Sequence, residues 1–144
     1  MSKVVITHSE THPVRISAIT DALPEATVEP IELPAGPLEN DSARVDALED
    51  AEGVVLRPGS VTRRVLENAP DLEIVAVHGS GYGRVDLEAA TEHGVVVTHN
   101  PGGPGPAVAE HTLGMMLALL RDFVGVAERT TAGEWESARR LNPE

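Results

Sequence analysis

The sequence predicts an α/β fold: a flavodoxin-like, five-stranded parallel sheet in the order 2-1-3-4-5, followed by a long C-terminal helix. Three observations predict it. Short β-branched runs alternate with segments whose apolar residues recur at helical spacing, the pattern of successive βαβ units. Two of the runs, 72–77 and 95–98, have little polar interruption, as strands buried on both faces of a parallel sheet do. Right-handed crossovers then favour 2-1-3-4-5 for five such strands.

Each element has a local reason. Residues 3–7 are a β-branched first strand. Residues 13–23 carry Val14, Ile16, Ile19 and Leu23 at roughly helical spacing, with Pro13 suited to a first turn. Residues 28–33 alternate as a second strand, and Pro30, which has no N–H for a ladder, sends it to an edge. Asp41 or Ser42 can cap a short helix through Leu48, and 53–56 is the third strand. Thr62 can cap 63–68, with Pro70 as the stop. Asp86 can cap 87–93 after the fourth strand, and Gly94 suits a left-handed C-terminal position before the fifth. The breaker-rich loop 100–106 leads into a helix over about 107–128, interrupted or frayed near Gly125. A short helix from Thr130 would be anchored by Trp135.

The helix after the loop is apolar on nearly every side, and such a helix needs partners on nearly every side. The rest of the chain is too small to cover it, so the sequence reads as the front part of something larger. A first domain over 1–106 is expected, with 107–144 as an interdomain helix and the start of a second domain.

Composition narrows the function classes. There is no cysteine, which excludes disulfides and thiolate metal sites. No secretory leader or membrane-length apolar stretch is visible, so a soluble cytoplasmic protein is expected. Asp and Glu number 23 against 11 Lys and Arg, a net charge of -12, which argues against a nucleic-acid partner because a phosphate backbone needs a basic face. Lys3 is the sole lysine. The acidity fits an ordinary enzyme of a GC-rich genome or, the reading taken forward, adaptation to high salt.

Several segments could carry chemistry. Gly79-Ser-Gly-Tyr-Gly83 follows the fourth strand, where backbone N–H groups can hold an anion in a crevice. As a dinucleotide turn it fails: Gly-x-Gly-x-x-Gly would need glycine where Arg84 stands, and no acid ends the fifth strand. It is open between a cradle for a small carboxylate and a simple tight turn. Arg57, after the third strand, reaches the same crevice as an anion ligand or is a surface arginine paired with a carboxylate. Among six histidines, no two sit four apart on one helix beside an acid, so no metal site is expected. His78 and His99 line the crevice or satisfy local backbone groups. Glu110 complements its helix dipole and is no dyad with the adjacent His111. Residues 7–11, Thr-His-Ser-Glu-Thr, suggest a hydroxyl-rich phosphate loop but lack glycine.

From Val54 onward an ordered succession of segments resembles the N-terminal half of the D-2-hydroxyacid dehydrogenase family: Arg57, the 79–83 loop, 85–95, Asn100-Pro-Gly-Gly103, 107–113 and Gly133-Glu-Trp135. The succession is more specific than any one segment. The resemblance implies a substrate-side domain of an oxidoreductase acting on a small D-2-hydroxy or 2-oxo acid with NAD or NADP. It implies that Gly79, Ser80 and Gly81 meet the substrate carboxylate through backbone amides, that Arg57 lies at the substrate crevice, and that Val108 borders the nicotinamide. It also implies a homo-oligomer through the 107–128 helix. The catalytic residues and most of the cofactor site would lie beyond residue 144, in a cofactor domain or companion subunit. Two positions depart from the family pattern: relatives usually carry an acid and an asparagine at Gly83-Arg84, and often a basic residue at Val77. The chain alone is expected to show no turnover. The alternative is a non-catalytic small-carboxylate-binding module or a subunit partnering a full-length paralogue.

Overall fold

A computed structural model describes residues 2–33 and 42–140. Five parallel strands form one sheet in the order β2-β1-β3-β4-β5, as crossover handedness dictates. They are β1 (Lys3–His8), β2 (Thr27–Glu32), β3 (Gly53–Leu56), β4 (Ile74–Val77) and β5 (Val96–Thr98). Pro30 lies on edge strand β2, whose sole strand partner is β1, with Ile6 opposite.

The connecting helices are α1 (Ile16–Ala22), α2 (Ser42–Leu48), α3 (Arg63–Glu67) and α4 (Leu87–Glu92). The caps expected for the last two are present. Thr62 accepts the Val65 N–H, and Asp86 accepts the Ala89 N–H at 2.9 Å. Gly94 has φ +70, the left-handed position that glycine takes without a Cβ penalty. Ser42 opens α2, while Asp41 lies outside the described residues. Pro13 stands outside α1: backbone hydrogen bonds between Ser9 and His12 hold 9–12 as a turn, and the helix begins after Arg15.

The core joins one face of the sheet to α2, α3 and α4. Val5, Val54, Leu56 and Val75 pack with Leu48, Val65, Leu66, Ala89 and Ala90. Each fully buried aliphatic side chain contributes about 1.5–3 kcal/mol. The opposite face corrects the expectation of two fully buried strands. Ile74 and Val96, register partners, are 40% and 57% exposed. Side chains alternate along a strand, so burial of Val75 leaves both of these on the face away from the core.

The backbone divides into two compact units, residues 1–101 and 102–144. In the second, α5 (Gly105–Leu120) and α6 (Phe123–Thr131) divide the helix expected over about 107–128, and α7 (Trp135–Arg140) stands in place of the short helix expected from Thr130. The break falls at Asp122, not at Gly125. Asp122 is left-handed (φ 44°) and its carboxylate accepts the Gly125 N–H, capping α6. A Cβ at Gly125 would collide with that carboxylate, so the glycine marks the cap and not the interruption. Trp135 does not anchor the end: it is 60% exposed, and Ala138 is the buried residue of α7. Leu119 and Leu120 of α5 are each 77% exposed. Among the described residues no helix is long and apolar enough to cross a membrane.

Candidate functional site

The carboxyl ends of β1, β3 and β4 meet at a crevice of about 400 Å³. Leu56 and Val77 supply its apolar lining, Gly79 and Gly81 contribute a rim, and His12, Arg57, His78 and Arg84 complete it. Side chains far apart in sequence converge here because parallel strands all end on the same side.

Arg57 is held by two devices. Its backbone N–H donates to the buried Thr7 Oγ1 at 2.9 Å, and that hydroxyl donates to the Pro58 carbonyl at 2.9 Å. Its Nη1 donates to the His78 carbonyl at 2.9 Å. Among the described residues Arg57 has no carboxylate partner. Its Nε is buried with no acceptor among the described residues. A buried donor left unmatched is costly.

The glycine loop is pinned from β5. The Asn100 N–H donates to the Gly79 carbonyl and His99 Nδ1–H to the Ser80 carbonyl, both at 2.9 Å. The His99 ring meets Tyr82 edge-on at 5.0 Å. In a trans peptide the C=O and the next N–H point opposite ways, and the chain has no cis bond. Fixing the two carbonyls toward 99–100 therefore turns the Ser80 and Gly81 N–H groups away from that segment. Neither N–H meets an acceptor among the described residues.

The fold does not demand these glycines. None of Gly79, Gly81 and Gly83 has positive φ, and a Cβ on any of them would meet nothing within 4 Å. A tight turn would need glycine for its own geometry; this loop does not. Glycines that the fold does not require, in a loop with unpaired amides, suit the close approach of another molecule.

Of the expected site residues, Arg57, Gly79 and Gly81 share the crevice, with Ser80 between the last two in the loop. Val108 is an exposed residue of α5 in the second unit. His12 and Arg84 were not foreseen as crevice-lining residues, nor Thr7 as the support of Arg57. Their signal was faint: a threonine inside the first strand, a histidine just past it, and an arginine beside a glycine loop. The hydroxyls of 7–11 do not form a phosphate loop. Ser9 and Thr11 contact His12 Nδ1 at 3.3 and 2.9 Å and steady its ring.

These residues do not by themselves fit a dinucleotide. The N-terminus of α4, the helix that follows the glycine loop, is already occupied by the Asp86 carboxylate, which would repel a pyrophosphate.

These residues build a parallel α/β unit whose carboxyl edge carries a crevice lined by two arginines and a glycine loop. The chain belongs to the D-isomer specific 2-hydroxyacid dehydrogenase family, whose catalytic-domain profile matches residues 4–140. It is 38% identical over 96 residues to D-3-phosphoglycerate dehydrogenase of Methanocaldococcus jannaschii, covering 66% of this chain and 18% of that protein. It is 36% identical over 105 residues to glyoxylate reductase of Thermococcus litoralis, covering 73% and 30%. Among solved structures it resembles the PH0520 protein of Pyrococcus horikoshii, with TM-score 0.71, 31% identity, and 94% of this chain but 38% of that one covered. NAD-dependent formate dehydrogenase of Staphylococcus aureus, solved with NAD, matches at TM-score 0.65 and 28% identity, covering 92% and 41%. The chain thus spans less than a third of the length of these two curated relatives. Members of the family are oxidoreductases that use NAD(P).

Proposed function

We propose that this chain is the substrate-side part of an NAD(P)-dependent oxidoreductase acting on the CH–OH group of a small D-2-hydroxy acid. Arg57 and the N–H groups of Ser80 and Gly81 hold the substrate carboxylate. The observation that carries this reading is the 79–83 loop: unpaired Ser80 and Gly81 amides in a loop whose glycines the fold does not require. Charge-assisted hydrogen bonds from a guanidinium and two amides suit a carboxylate better than a neutral group.

The residues of this chain orient the acid; the reductant and the proton come from elsewhere. Hydride transfer needs a nicotinamide set against the substrate carbon and a proton donor in reach. Both are assigned to a cofactor domain or companion subunit. Residues 1–106 form the substrate side and 107–144 the crossing toward that partner, with Val108 bordering the nicotinamide. The exposed apolar surface of α5 supports a homo-oligomer through 107–128, or the second reading, a carboxylate-binding subunit of a full-length paralogue.

Titrating the 144-residue chain with pyruvate should move the Ser80 and Gly81 amide resonances, and no NADH oxidation should accompany glyoxylate or hydroxypyruvate. Amides that ignore pyruvate would refute the carboxylate site. Turnover by the chain alone would refute the assignment of cofactor and proton transfer to a partner.

A further inference from the structure

Two arginines line the crevice, and the carboxylate site accounts for one of them. Arg84 stands beside Gly83, its carbonyl fixed by the Val61 N–H at 2.9 Å, and it is the second arginine of the crevice lining. Its guanidinium makes no hydrogen bond or ion pair among the described residues. That is unusual for this composition. Acidic residues outnumber basic ones 23 to 11, so an exposed arginine should readily find a carboxylate. Yet none of the residues lining the crevice is acidic, while Arg57 and Arg84 are both cationic. A cleft lined by one sign of charge focuses its field and concentrates ligands of the opposite sign. Here the cleft is positive on a protein of net charge -12.

We propose that Arg84 makes this crevice a site for 2-hydroxy or 2-oxo acids whose tail carries a second anionic group, a carboxylate or a phosphate. The inference rests on the carboxylate reading above, in which Arg57 and the loop amides take the first anion. Arg84 then acts on the far end of the substrate as a residue that determines specificity. It supplies the planar pair of donors that suits either oxyanion.

The test uses matched ligands on the full chain, followed by calorimetry. 2-Oxoglutarate and 2-oxopentanoate differ in the terminal carboxylate; 3-phosphoglycerate and glycerate differ in the phosphate. Wild type should bind the doubly charged member of at least one pair about tenfold more tightly, and Arg84→Gln should bring that ratio close to one. The pair that responds identifies the tail as carboxylate or phosphate. The Arg84 side chain is exposed, so the variant should melt like wild type, and a circular dichroism melt checks this. Equal affinities within both pairs, or a preference that survives Arg84→Gln, overturns the proposal and leaves the carboxylate site standing. Failure of wild type to bind any of the four overturns the carboxylate site itself.

Discussion

Replacing Gly81 with alanine separates what the fold needs from what a ligand needs. Gly81 lacks positive φ, and a Cβ there touches nothing within 4 Å. Gly→Ala at a compatible site stabilises by about 0.4–1 kcal/mol, because the unfolded chain has fewer states to lose. For a unit of this size that raises the melting temperature by roughly 2–6 °C. Gly59 is the control. Its φ is +95°, and an added Cβ would sit 3.0 Å from Leu33 Cδ1 and 3.4 Å from Arg44 Cδ. Left-handed strain alone costs about 1–3 kcal/mol, so Gly59→Ala should melt several degrees below wild type. Binding should show the opposite order. A methyl group over the amides blocks at least one hydrogen bond to a charged group, worth about 1.5–3 kcal/mol, which is roughly 10- to 100-fold in affinity. Thermal melts and pyruvate titrations of both variants read the two effects. If Gly81→Ala melts several degrees low, the glycine serves the fold; if it binds pyruvate within twofold of wild type, nothing approaches that loop. Either result refutes the reasoning.

Thr7→Val should lower stability by about 1–3 kcal/mol, because it strands both the Arg57 N–H and the Pro58 carbonyl. Denaturant melts measure the loss, and weaker pyruvate binding at a temperature where the variant is folded reports the loosened Arg57 turn. Acid sensitivity has a defined sign. Hydrogen bonding to Lys3 holds the Asp50 carboxyl below its ordinary range, and Arg63 does the same for Glu92. The stabilisation is present above the ordinary carboxylate pKa of about 4 and is lost as pH falls through the depressed folded-state values. The melting temperature of Glu92→Gln should therefore sit below wild type at pH 7 and converge with it in acid. Because the Arg63–Glu92 pair is exposed, molar KCl should shrink that gap. The same salt should raise the melting temperature of wild type by screening the net charge of -12; a melt indifferent to salt would argue against adaptation to high salt.

Much of the architecture could be read without coordinates. Thr62, Asp86 and Gly94 announce helix ends because each acts on backbone groups within a few residues of itself. Pro30 announces an edge because it lacks an N–H, and strand order follows from crossover handedness. Asp122 escaped notice because a left-handed aspartate differs from a helical one in φ and not in sequence context.

The sequence by itself determined the succession of strands and helices and the family they compose, since period, caps and turn residues act over short distances. Only the tertiary structure decided that His12, Arg57, His78 and Arg84 share one cavity, that Thr7 braces the Arg57 turn, that His99 and Asn100 turn two amides away from β5, and that Ile74 and Val96 face outward. Those relations join residues that are distant along the chain. They depend on where parallel strands end and on which face a neighbouring layer covers, and neither is a property of any local run of amino acids.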